Sequence, residues 1–164
     1  MKLADFGVFV IFAATYAAGT LGLPEISLLS YQVRIGEMPS AFVALFGMPA
    51  VFGLTLGQFI ANLGLESKPI AFVSPAVSFF GLLVIHYARK YSTLVGCVAY
   101  ILLTSLWLAV MLPIVRPGLA ATDAATSAFV GQSVAVMIGY VAYVAATKSV
   151  SRESNALTPA DRLQ

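Results

Sequence analysis

Apolar and polar positions along this chain fall into long blocks. Five stretches run without a single charge: Phe6–Pro24, Met38–Leu65, Pro69–Ile85, Tyr91–Val115 and Ala124–Thr147. A helix rises 1.5 Å per residue, so about 20 apolar residues cross the roughly 30 Å hydrocarbon core of a bilayer. Four of the stretches predict one span each. The second stretch is 28 residues long, with Pro49 near its middle removing a backbone donor. It reads either as one kinked helix or as two short helices joined near Pro49. The first stretch has only Lys2 ahead of it and the length of a span, not of a short signal core, so it reads as a retained helix. Ser149–Gln164 shows no apolar periodicity and reads as a frayed polar tail, giving a transmembrane unit over 1–148 and a tail over 149–164. No internal repeat is visible, so the inverted-repeat signature of many secondary transporters is missing.

Composition turns this pattern into a class. The 164 residues are 60% hydrophobic and 10% charged, with a mean hydropathy of +0.93. Soluble domains carry about 25% charged residues. Nine Lys/Arg and seven Asp/Glu cannot coat a soluble globule of this size. The expectation is an all-α integral membrane protein. One cysteine, Cys97, excludes an internal disulfide, and one histidine, His86, is too few for a His/Cys zinc cage. There is no Gly-rich phosphate loop and no catalytic constellation. The chain reads as a non-enzyme without cofactor or metal, and as no binder of nucleic acid.

Charge placement settles part of the topology, because Lys and Arg favour the cytoplasmic side. Six spans with the N-terminus inside place Lys2, Arg89, Lys90, Lys148, Arg152 and Arg162 in the cytoplasm, against Arg34, Lys68 and Arg116 outside. Five spans with the N-terminus outside exchange Lys2 for Arg34 and leave the bias at six to three. Arg89, Lys90 and the tail are cytoplasmic either way. The N-terminus stays open.

Polar groups at membrane depth are costly unless they meet a partner or a cavity, so they are the candidate site. Gln58 and Asn62 stand four apart, which puts both amides on one helix face. They either bond neighbouring helices or hold a polar ligand. Arg34 and Glu37 stand three apart, as a local ion pair or as part of the same site. Trp107 is a packed aromatic or a stacking surface for a planar ligand. His86 reads as interfacial, Cys97 as a small packed side chain, and Glu66 with Lys68 as an outer loop. Small residues recur at four-residue spacing in Ala13-Ala17, Ala14-Ala18, Gly53-Gly57 and Gly131-Ala135-Gly139, where helices can approach closely.

The run Gln32-Val33-Arg34-Ile35-Gly36-Glu37, followed by an apolar helix and then Gly53-Leu-Thr-Leu-Gly57-Gln-Phe-Ile-Ala61-Asn62-Leu63, resembles the QueT family. These are queuosine-precursor transporters, similar to the substrate-binding S components of energy-coupling factor importers. The resemblance runs from about Ala13 to Lys90. It implies six transmembrane helices in an S-component-like bundle with short second and third helices, in the cell membrane with both termini cytoplasmic. It implies a deazaguanine-like base as substrate, with Glu37, Gln58, Asn62 and Arg34 lining a pocket on the outer half of the bundle. It also implies that Ala13, Ala17, Ala14 and Ala18 face a membrane coupling subunit, and that partner ATPase subunits supply the energy. The chain departs from the family pattern at Gly36, where Ser is usual, and at Pro69 and Val73, where Asp and Gly are expected. Two other readings are an accessory helical subunit of a larger membrane complex and an S-like transporter for another vitamin.

Overall fold

The computed structural model describes residues 2–23, 33–65, 68–115 and 118–156, and the side chains of all of these but 65, 68–70, 115 and 152–156. Among them every regular element is helical. α1 spans Leu3–Leu21 and α2 spans Ile35–Phe46, which is 3₁₀ over Ile35–Phe42 and α-helical over Val43–Phe46. α3 spans Met48–Leu65, α4 Lys68–Ala88, α5 Thr93–Val115 and α6 Ala121–Ala156. α1, α4, α5 and α6 are long and apolar enough to cross a membrane, while α2 and α3 are apolar but shorter.

The long second stretch is divided at Gly47. This residue sits at φ +69°, in the left-handed region where glycine carries no Cβ penalty. Its N–H donates to Val43 O at 2.9 Å and closes α2. Its carbonyl accepts from Ala50 and Val51 at 3.1 and 3.2 Å and opens α3. Pro49 falls in the first turn of α3, where a missing N–H has no intrahelical partner to lose. The chain breaks at the glycine, and the proline starts the next helix. Arg89 Nη1 then donates to Ala44 O at 3.2 Å, satisfying a carbonyl at the end of α2.

At the other end of the chain, α6 continues past Lys148 to Ala156. Residues 149–156, expected as part of a frayed tail, prolong the last helix. Arg162, Arg116, Glu66, Tyr31 and Gln32 lie outside the described residues, as do the side chains of Lys68 and Arg152.

The helices close into a ring in the order α1, α3, α4, α5, α6, α2 and back to α1. Short α2 is therefore held between the first helix and the last. α1 crosses α3 closely at the Gly53-Gly57 pair. A Cβ at Gly53 would lie 2.5 Å from Phe9 O, and one at Gly57 would collide with Ala13 O. On α6 Ala135 is fully buried, and a Cβ at Gly139 would collide with Met38 O of α2.

Large apolar side chains such as Ile11, Phe52, Phe72, Phe80 and Leu106 point outward, whereas Arg34, Glu37, Gln58, Asn62 and Gln132 are buried. That surface suits lipid and leaves the polar groups to the bundle interior. Tyr16, Leu54, Leu82, Ile85, Tyr100 and Val136 form the main core, and Cys97 packs among them.

Candidate functional site

Glu37 is the centre of the buried polar network. It lies in the first turn of α2 and is 1% exposed. Tyr16 OH on α1 donates to Glu37 Oε1 at 2.7 Å, and Tyr100 OH on α5 donates to Oε2 in a shorter contact. The Gln132 side chain on α6 lies beside the Glu37 carboxyl. Behind the tyrosines stand further polar groups, Arg34 beside Tyr16 and Ser78 on α4 beside Tyr100. A carboxyl group at this depth is costly without donors, and here they come from two other helices.

Gly36 is what allows the approach. A Cβ there would collide with Thr20 Oγ1 and lie 2.7 Å from Tyr16 O. The glycine thus sits at a close approach of α1 and α2, beside the Tyr16–Glu37 bond.

A small cavity of about 10 Å³, the space of one water molecule, opens beside this network. Arg34, Gln58, Ser74, Ser78, Thr104, Trp107, Leu108 and Gln132 line it. Trp107 Nε1 donates to Ser74 Oγ at 2.8 Å, which fixes the indole against the wall. Thr104 Oγ1 donates to Tyr100 O at 2.9 Å. The Gln132 Oε1 and Asn62 Nδ2 atoms are buried and have no hydrogen-bond partner among the described residues.

The expected site residues come together, though not as one wall. Arg34 and Gln58 face the cavity. Asn62 meets Arg34, whose Nη1 donates to Asn62 Oδ1 at 3.5 Å. Glu37 is linked to the cavity through Gln132 and is not itself among the lining residues. On α1, Ala13 is buried against α3, Ala17 is half-buried, and Ala14 and Ala18 point outward. His86 lies apart from the site, its ring near Gly47 and against Tyr87.

Tyr16, Tyr100, Ser74, Ser78, Thr104 and Gln132 were missed by sequence reasoning. Gln132 was within its reach, as a primary amide inside an apolar stretch. The Ser and Thr hydroxyls carried no such signal, because a helix tolerates them in lipid by bonding its own backbone, and the tyrosines none, because such rings are frequent in membrane helices near the interface.

Neither the curated proteins nor the solved structures contain a match to this chain. The family comparison is positive: the model of the QueT transporter family matches residues 8–148, which takes in all the described site residues. An all-helical bundle with four helices of spanning length and an outward apolar surface is what a multi-pass membrane transporter requires. The chain belongs to the QueT transporter family.

Proposed function

We propose that this chain is the substrate-binding membrane subunit of an importer for a queuosine precursor, a deazaguanine-like base. The observation that carries this reading is the buried cavity walled by two carboxamides, three hydroxyls and an indole. A planar base rich in donors and acceptors calls for that combination of stacking surface and fixed hydrogen-bond partners. Arg34 and Gln58 meet the base from the wall, and Glu37 and Asn62 hold that wall from behind. Pockets for small ligands span about 300–1,000 Å³, so entry of a base goes with a widening of the cavity.

In this reading α2 and α3 are short spans, giving six in all, with both termini cytoplasmic and the cavity in the outer half. Ala14 and Ala18, with Ala17 at the margin, form the face of α1 that docks on a membrane coupling subunit. The energy comes from partner ATPase subunits.

Calorimetry on the purified chain tests the proposal, with 7-deazaguanine as ligand and riboflavin and thiamine as controls. Saturable binding of the deazaguanine alone is expected. Gln58→Leu should lower its affinity roughly 5- to 150-fold, the effect of leaving a buried polar group unpaired. A wild-type chain that binds no base would favour an accessory subunit of a larger complex, and selective binding of a control would favour another vitamin.

A further inference from the structure

Gln132 is 2% exposed and lines the cavity, and its Oε1 is buried. Chemistry favours one orientation of its carboxamide. The Arg34 guanidinium beside Tyr16 only donates, and Tyr16 gives its own proton to Glu37 Oε1. Tyr100 likewise gives its proton to Oε2. Both Glu37 oxygens are therefore acceptors, so the Gln132 carboxamide beside them is favoured with its NH₂ end toward them and its carbonyl away. Its carbonyl oxygen is left without a partner among the described residues.

Two of the donors nearby are already committed. Trp107 Nε1 gives its hydrogen to Ser74, and Thr104 gives its own to the Tyr100 carbonyl. The wall thus presents an oriented acceptor at Gln132.

We propose that Gln132 determines the specificity of the site: its Oε1, aimed by Glu37, accepts from the N–H edge of a planar heterocycle that lies against Trp107. The inference rests on the substrate reading above and deepens it. A carbonyl oxygen has two lone pairs and can take two adjacent N–H donors, such as a ring lactam N–H and the amino group beside it. A ligand edge that offers only acceptors would set oxygen against oxygen. Glu37 is then a positioning residue, acting on the ligand through Gln132.

The test compares two probes by calorimetry on the full chain, 7-deazaguanine and 7-deazahypoxanthine, which lacks only the exocyclic amine. Wild type should prefer the amine-bearing base by roughly 5- to 150-fold, and Gln132→Leu should bring the two within about twofold. Gln132→Met, closer in shape, gives the same reading where the leucine variant does not fold. Glu37→Gln should narrow the ratio as well, because an amide at position 37 no longer dictates which way Gln132 faces. An unchanged ratio in a folded Gln132 variant, or equal binding of both probes by wild type, would overturn the assignment and leave the substrate reading standing. Wild type binding neither probe would overturn both.

Discussion

Tyr16 OH donates to Glu37 Oε1 at 2.7 Å, joining α1 to α2 across 21 residues of sequence inside the bundle. With Tyr100 on the other oxygen, this bond ties the start of α2 to both sides of the ring. Leaving a buried polar group without its hydrogen-bond partner costs about 1–3 kcal/mol. Tyr16→Phe and Tyr100→Phe should each destabilise the chain by about that amount, read as a loss of thermal stability in detergent. In a Glu37→Gln background each loss should shrink, because residues in one network couple. Additive losses in that cycle would show that the tyrosines act independently of Glu37.

Restoring the family's usual residue at position 36 should do harm. Gly36→Ser places a Cβ where Thr20 Oγ1 and Tyr16 O already lie. Overpacking of this kind costs about 1–3 kcal/mol, and here it pushes α2 off α1 beside the Tyr16–Glu37 bond. Gly36→Ser should therefore melt earlier than wild type and bind base more weakly. Wild-type stability would mean that the two helices part without cost.

The alanines of α1 should separate into two classes. Ala13→Trp meets α3 and should impair folding, whereas Ala18→Trp faces outward and should leave a stable, ligand-binding chain. If α1 docks on a coupling subunit, Ala18→Trp should abolish co-purification of that subunit. Survival of the complex with both Ala14→Trp and Ala18→Trp would remove this face as the interface.

Membrane orientation is open to direct chemistry. In a Cys97→Ala background, Asp5→Cys should react with an impermeant thiol probe only when the cytoplasmic face is exposed. Labelling only from outside would exclude the six-span arrangement.

What could be read from the sequence follows the cost of each group in lipid. Gln58 and Asn62 stood out as amides inside an apolar stretch, and Arg34 and Glu37 as charged groups at the edge of one; all four are buried. Their partners were hidden because they lie on other helices: Tyr100 is 63 residues from Glu37. No local spacing carries that relationship, and only the ring order brings it about. The division of the long second stretch was legible as a possibility near Pro49. The break itself went to Gly47, since a reversal needs a backbone that tolerates positive φ more than it needs a missing donor.

The place of α2 between the first helix and the last also sets an order of events in biogenesis. Glu37 leaves the ribosome with Tyr16 already made, but Tyr100 follows much later and Gln132 later still. At about 5–20 residues per second, the carboxyl group waits several seconds in the nascent chain before α6 is synthesised. Until then α2 lacks one of the two helices between which it is held and does not settle at membrane depth at low cost. The final helix therefore acts as a latch on assembly, and truncation within α6 should leave a chain whose second helix has nowhere stable to lodge.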